Sequence, residues 1–385
     1  LVSLPLYLDY NATSPLSRSV KSELLRGDFL FANPASQHQS GKHSRKVINQ
    51  ATQLIYEHFH LETKSHRIIY QSGATEGINT VIKGMCEYAK LKQKKFVFLV
   101  SPLDHPCVLE AEDWLLSRGA EFYFYPISER GEVLWDELSS LIKEKISQDY
   151  IILTNLTWVH NETGVVIDLT PAVNLKHHQV FFHIDAVQTV GKIKNYAHLI
   201  PELDFYSYSG HKFGSIKGVG FSFISKKIDL PPLIWGGGQQ GGLRPGTENI
   251  LGIQSMQWAL NDFLVDWNPA ELSKNHDLLE KSLIEMMKNK GEVLFLEAPR
   301  NLNTTYFYLK TMASDMALAI FDLEGLELST GSACASGAAK KSAVMKKVGL
   351  EKLARNGLRL SHSPFLKKED IQEMIERFKK VMDKV

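Results

Sequence analysis

Between residues 75 and 91 the apolar side chains Ile78, Val81, Ile82 and Met85 fall at i, i+3, i+4 and i+7, and Leu134, Leu138, Leu141, Ile142 and Ile146 repeat that spacing further along. A period of 3.6 residues gathers such positions on one stripe, so each stretch predicts an amphipathic helix. Around them stand short runs rich in β-branched and aromatic residues, at 67–72, 96–101, 121–127, 150–155, 180–185, 204–209 and 219–224. These predict strands. Strand and helix in alternation predict an α/β domain whose sheet is mostly parallel and covered by helices on both faces. After the glycine-rich stretch at 236–246 the pattern changes to a helical segment near 250–290, a strand-like 303–309, and helical pieces ending in an amphipathic run at 367–384. That change predicts a smaller α+β domain, formed by 1–14 and 261–385, beside a large domain at 15–260.

Composition narrows the possible functions. At 385 residues the chain is long enough to bury a large core, and its 44% apolar and 23% charged content is that of a globular protein. The 44 basic side chains against 43 acidic ones leave +1, which offers no electrostatic footprint for nucleic acid or an anionic membrane. No uncharged apolar run reaches the roughly 18 residues of a membrane span, and residues 1–10 lack the cationic start and apolar stretch of a secretory signal. Three scattered cysteines, Cys86, Cys107 and Cys334, form neither a disulfide framework nor a CxxC metal site. A reducing, cytoplasmic setting is expected, with any special cysteine present for its thiol.

In parallel α/β sheets the site forms at the carboxyl ends of the strands. Five polar segments follow strands here: Ser72-Gly73-Ala74-Thr75-Glu76, Asp104-His105-Pro106, His160-Asn161-Glu162-Thr163-Gly164, Asp185-Ala186-Val187-Gln188 and Ser209-Gly210-His211-Lys212. The first is a small-residue turn into a helix, whose first N–H groups can hold a phosphate; by itself Thr75 reads equally well as an ordinary N-cap. Lys212 alone reads as a surface lysine. Together, however, Lys212, Asp185 and the Ala74-Thr75 turn are a Schiff-base lysine, an acid for a pyridinium nitrogen and a phosphate cradle, the three parts that a pyridoxal phosphate enzyme needs. His105 can stack on the ring.

These segments, with 7–13, Asn33-Pro34-Ala35-Ser36, Gly236-Gly237-Gly238-Gln239, 244–249, Gly331-Ser332-Ala333-Cys334 and Arg359-Leu360-Ser361, resemble the cysteine desulfurases of the NifS/IscS type, within the class-V aminotransferases and the fold-type I pyridoxal phosphate enzymes. The resemblance implies a large domain with a mostly parallel seven-stranded sheet flanked by helices, plus a smaller α+β domain. It implies conversion of L-cysteine to L-alanine with a persulfide on Cys334, in a homodimer that passes sulfur to an acceptor protein for iron–sulfur cluster assembly or thiolation. Lys212 would be the Schiff-base lysine, with Asp185 at the pyridine nitrogen and His105 on the ring. Asn161 and Gln188 would meet the phenolic oxygen. Ala74, Thr75, Ser209 and His211 would hold the phosphate, with Thr247 arriving from the other subunit. Arg359, with Asn33 in the substrate-binding set, would hold the substrate carboxylate, a task suited to a two-pronged guanidinium.

The Ser/Gly/Ala-rich surroundings of Cys334 suit a loop that carries a thiol between the site and an acceptor. Cys86, inside a helical pattern, reads as a buried small residue, and Cys107 as the weaker rival nucleophile. Two departures stand out: Gln240-Gly241-Gly242 replaces the family's Glu-Arg-Gly, and His160 replaces the first Asn of Asn-Asn-Glu. The second reads as a harmless replacement. The pairs His177/His178 and His58/His60 have no further ligand at suitable spacing, so no metal is expected. A selenocysteine lyase or other class-V lyase or aminotransferase is the alternative, since a fold does not dictate chemistry; a non-catalytic partner in sulfur transfer is disfavoured by Lys212 and Asp185.

Overall fold

The computed structural model describes residues 4–330, 342–347, 349–351 and 354–385. Its strands are β1 (Leu6–Tyr7), β2 (His66–Gln71), β3 (Lys95–Val100), β4 (Glu121–Phe124), β5 (Tyr150–Thr157), β6 (Val180–Asp185), β7 (Phe205–Ser209), β8 (Gly220–Ser225), β9 (Gly291–Val293), β10 (Thr304–Leu309), β11 (Leu326–Glu327) and β12 (Gly357–Ser361). Seven of them form one sheet in the order β2-β8-β7-β6-β5-β3-β4. All run parallel except β8, which is antiparallel to both neighbours. This is the seven-stranded, mostly parallel sheet expected from the alternation of patterns. β5 and β6 are buried along their whole length, which is why their sequences read as continuous apolar runs rather than alternating ones.

The helix Ala74–Leu91 turns Ile78, Val81, Ile82, Met85 and Ala89 inward against this sheet. Each large aliphatic side chain buried there contributes roughly 1.5–3 kcal/mol. Close seating depends on Gly77, where an added Cβ would lie 2.5 Å from both Gln71 Oε1 and Ser222 Oγ. A second layer of helices covers the other face, including Gln39–His58 and Ile250–Asp266, which supply Val47, Ala51, Ile55, Ile253, Met256 and Leu260 to the core.

The segment expected as one helix near 250–290 is two, Ile250–Asp266 and Pro269–Met286. The break has a local cause. Asn268 caps the second helix by accepting the Ala270 and Glu271 N–H groups at 3.2 Å, and Pro269 at the first helical position cannot continue the previous one. Beyond it β9, β10 and β12 form an antiparallel sheet, and Leu272, Leu279, Leu283, Phe307, Leu309, Leu358, Leu360 and Phe378 make a separate core that Leu8 joins from the N-terminal segment. Among the described residues no helix is long and apolar enough to cross a membrane.

Candidate active site

Parallel register carries the ends of β3, β5, β6 and β7 to one edge of the large sheet, so His105, Asn161, Asp185 and the Gly210–Lys212 turn emerge side by side. The reversed strand β8 brings in the fifth segment. Its first residue, Gly220, pairs with both Gln71 and Ser209, and thereby places the Ser72–Thr75 turn next to the end of β7. The approach is tight: a Cβ on Gly220 would stand 2.5 Å from the Tyr208 carbonyl and 2.8 Å from Gly73 Cα. The helix that begins at Ala74 has no side-chain cap, and Ser209 Oγ lies 3.4 Å from where a Gly73 Cβ would be. An open helix N-terminus therefore lies beside the Ser209 hydroxyl, an arrangement that suits a phosphate.

Asp185 ends β6 almost fully buried and accepts the Val187 N–H at 3.0 Å. Burial pushes its carboxyl up to about 6, against the pull of that hydrogen bond and of the nearby Lys212 ammonium. A cationic ring nitrogen beside it would restore the carboxylate. Lys212 donates from Nζ to the carbonyls of Asn11 and Ala12, both at 2.8 Å. His105 caps the helix Pro106–Leu109 through Nδ1, which accepts the Cys107 N–H at 3.2 Å, and its basicity is lowered by burial and then by Lys212. It is thus a neutral ring able to lie against another ring. His211, held through Nδ1 to Thr13 Oγ1 at 3.1 Å, is depressed to about 4 by burial and by Lys212, Lys217 and Lys192.

Arg359 sits on β12 with 1% exposure and bridges to Asp9 at 2.5 Å and to the Asn161 carbonyl at 3.0 Å. Gln188 Nε2 donates to the Asn11 carbonyl at 2.8 Å. The expected residues Ala74, Thr75, His105, Asn161, Asp185, Gln188, Ser209, His211, Lys212 and Arg359 thus come together. Asn33 is exposed, and its side chain accepts the Ala35 N–H at 2.9 Å within its own turn. Thr247 is exposed on the loop before the helix Ile250–Asp266. Cys334 lies outside the described residues. The described chain on either side is anchored near Arg359: Ser329 exchanges backbone hydrogen bonds with Arg359, and the Ser342 hydroxyl is 3.1 Å from that of Tyr306, the β10 residue opposite Arg359.

Of the other cysteines, Cys86 is buried in its helix with its thiol pushed up to about 11 by burial, and Cys107 is pushed up further by burial and the charges of Asp185 and Asp104. Neither is a thiolate near neutrality. His160 is buried; Nε2–H donates to the Leu103 carbonyl at 3.0 Å while Nδ1 accepts the Thr163 N–H at 3.2 Å, so it staples its own turn to the neighbouring loop as a neutral ring. That geometry gives it a structural part in the turn. Gln240 pairs its carboxamide with both backbone groups of Tyr70 on the edge strand β2, and Arg244 bridges to Glu76 in the first turn of the phosphate-side helix at 2.9 Å. Among the described residues no cluster of three His, Cys, Asp or Glu is placed to hold a metal.

Sequence reasoning left several neighbours without a role. Asn11 is the hub under Lys212, and Asp9 orients Arg359; both stood inside a recognised segment, but their partners are about 200 to 350 positions away. Asp104 accepts from Ser101, Asn155 and Thr157 and is pushed up to about 7 by burial. Glu162 has a buried Oε2 without a hydrogen-bond partner and is raised to about 7 by burial, opposed by Arg359. Lys192 is a fully buried lysine that nothing in the sequence marks.

The donor set fits pyridoxal phosphate: a lysine, a buried acid, a neutral flanking imidazole and an uncapped helix N-terminus face one another. Comparison with known proteins points the same way. A family model for class-V aminotransferases matches residues 6–374. A cysteine desulfurase IscS of Dictyoglomus turgidum is 32% identical over 98% of this chain and 95% of the relative, and one of Methanosarcina thermophila is 30% identical over 98% and 92%. Among solved structures, a NifS-like protein superposes with a TM-score of 0.85 at 25% identity, covering 99% of this chain and 100% of that one. Another, a NifS-like protein from Rickettsia africae, gives 0.82 at 25% identity over 98% and 99%. With the site at the strand ends and the match running from one end of the chain to the other, the protein belongs to the class-V aminotransferase family.

Proposed function

We propose that this chain is a pyridoxal phosphate-dependent cysteine desulfurase, which takes the sulfur of L-cysteine, releases L-alanine and passes the sulfur to an acceptor protein. The observation that carries this reading is the convergence of Lys212 and Asp185 from adjacent strand ends beside an open helix N-terminus, in a chain similar along its length to cysteine desulfurases. Bound at that place, pyridoxal phosphate supplies an electron sink for the bonds at the substrate's α- and β-carbons. Thr75, Ser209, His211 and the first N–H groups of the helix would hold its phosphate, and Asp185 would hold the proton on its ring nitrogen. Asn161 and Gln188 would meet the phenolic oxygen, and His105 would cover the ring.

Arg359, steadied by Asp9, receives the substrate carboxylate. Lys212, whose Nζ rests between two backbone carbonyls, is the group that carries a proton to and from the α-carbon. Cys334 attacks the substrate sulfur as thiolate. The enzyme Cys–SH and the substrate R–SH become Cys–S–SH and R–H, so the proton lost by Cys334 balances the one gained by carbon and no outside oxidant is required. The anchoring of Ser329 and Ser342 beside Arg359 and Tyr306 supports delivery of that thiol to this mouth. The enzyme is a two-fold dimer in which Thr247 serves the neighbouring site, working in a reducing, cytoplasmic setting.

Product analysis with L-cysteine tests the reading. Alanine and, with a reductant, sulfide in equal amounts support it, together with one added sulfur per chain on the peptide carrying Cys334. Pyruvate or another keto acid as product, or sulfur on Cys107, would refute it.

A further inference from the structure

Lys192 has no part in the chemistry above, yet it lies against the centre of the site with 1% exposure. Its Nζ donates to Gln188 Oε1, four residues back in the turns that follow β6, and to Asn11 Oδ1 at 3.1 Å. Lys192 meets both carboxamides as a donor, so the oxygen end of each turns toward it. The nitrogens are forced to the other side. Gln188 Nε2 then donates to the Asn11 carbonyl at 2.8 Å, and Asn11 Nδ2 donates to Thr304 Oγ1 at 2.8 Å and to the Asn161 carbonyl at 3.1 Å. The Asn11 carbonyl is the same oxygen that receives Lys212 Nζ. One buried lysine therefore sets the orientation of two carboxamides and of the backbone on which Lys212 rests.

That choice is not trivial, because the two ends of a carboxamide are nearly identical in size and opposite in polarity. Turned over, Gln188 would offer an acceptor where it now offers a donor. The hydrogen-bond partners of Lys192 are neutral oxygens. Of the charged or titratable groups around it, Lys212 and Arg359 repel its charge, Asp9 attracts it, and His211, depressed to about 4, is neutral. Such a site is costly for an ammonium, which burial and these neighbours push well below the ordinary lysine range. Packing alone would be served better by an apolar residue.

We infer that Lys192 is a positioning residue: by holding the oxygen ends of Gln188 and Asn11, it keeps the Gln188 amino group turned toward the phenolic oxygen of the bound cofactor. The inference rests on the reading that Gln188 meets that oxygen. A hydrogen-bond donor there favours the form carrying fewer protons, so loss of the donor moves the pH midpoint of the cofactor's visible absorbance upward.

The test uses Lys192→Met, which keeps length and removes the donors, Lys192→Arg, which keeps donors, Gln188→Ala, and the Gln188→Ala/Lys192→Met pair. Visible absorbance of each holoenzyme is titrated with pH, and each apoenzyme is titrated with pyridoxal 5′-phosphate for Kd. Lys192→Met and Gln188→Ala should each raise the midpoint by about one unit, a tenfold shift in the equilibrium, and weaken Kd by about tenfold. Lys192→Arg should return most of both, and the double variant should match Gln188→Ala alone. An added shift in the double variant, or a Lys192→Met midpoint equal to wild type, overturns the role of Lys192 while leaving that of Gln188 intact. An unmoved midpoint in Gln188→Ala removes Gln188 from the phenolic oxygen and overturns both.

Discussion

Two of the buried polar clusters among the described residues are finished differently. Behind β10, Arg300 grips Glu280 with both terminal nitrogens, at 2.7 and 2.6 Å, and Thr305 adds a third hydrogen bond at 3.0 Å. Next to it His362 donates from Nδ1 to the Ser363 carbonyl at 2.9 Å, which leaves its Nε2 to accept from His276 Nδ1 at 3.0 Å. These groups close on each other, with only His276 Nε2 left without a hydrogen bond. At the edge of the large sheet, by contrast, Asp185 is buried with a raised pKa, Glu162 has a carboxyl oxygen with no partner, and the helix at Ala74 has no cap. The closed cluster joins helix to strand; the open one is arranged around groups that a ligand would bring. Burial alone does not separate them, but the pairing of their carboxylates does: both Glu280 oxygens have partners and Glu162 Oε2 has none.

The sharpest way to break this comparison is to remove Lys212. Lys212→Ala should lower turnover of L-cysteine by more than about a thousandfold and abolish the visible absorbance of the bound cofactor, while the apoenzyme melts close to wild type. Retained borohydride-reducible attachment would move the covalent site elsewhere. In the closed cluster the effect should fall on stability instead. Arg300→Met strands Glu280 and should cost roughly 3–5 kcal/mol in denaturant unfolding, with kcat of the remaining folded protein retained; a loss of kcat at unchanged stability would place Arg300 in the active site.

Arg359→Lys keeps charge and loses the fork, so kcat/KM for L-cysteine should drop roughly 10- to 100-fold, mainly through KM. An unchanged KM would assign the substrate carboxylate to another group. Asp185→Asn should do the opposite of an ordinary core substitution. Because the folded carboxyl titrates at about 6 and the unfolded one at 3.8, the folded state loses stability as pH rises through that window. The variant apoenzyme should therefore be more stable than wild type at pH 7, by on the order of 1–3 kcal/mol, while activity falls.

The smallest effect concerns the histidine pair, whose folded-state values are depressed from 6.5 to about 3 by burial. Groups lowered in this way contribute fully above 6.5, and that contribution is lost as pH falls toward 3. His276→Gln should flatten slightly the decline of Tm between pH 6.5 and 4, slightly because buried His58 and His183, depressed to about 4 and 3, act in the same direction. A steeper decline would mean that the pair protonates more readily than its burial suggests.

Strand and helix placement was legible along the chain because period depends on neighbours. The runs at 150–155 and 180–185 became β5 and β6, and the stripe through Ile78 and Met85 became the helix Ala74–Leu91. The short β1, β9 and β11 were not, since two or three residues hold no period and exist only because a partner strand is present. Strand-end residues such as Asp185 and Lys212 were legible for a topological reason: parallel strands deliver their ends to one edge whatever lies between them.

What the sequence by itself determined was the alternation, the strand-end chemistry and the kinship of the motifs. Tertiary structure alone decided that the reversed strand β8 sets Gly220 between the Ser72–Thr75 turn and the end of β7. It alone decided that Asp9 meets Arg359 across 350 positions, and that Lys192 reaches under the site to set two carboxamides. The physical reason is the same in each case. A hydrogen bond or ion pair between distant segments leaves no periodic trace in either, and becomes visible only when the sheet and its helices have brought the two together.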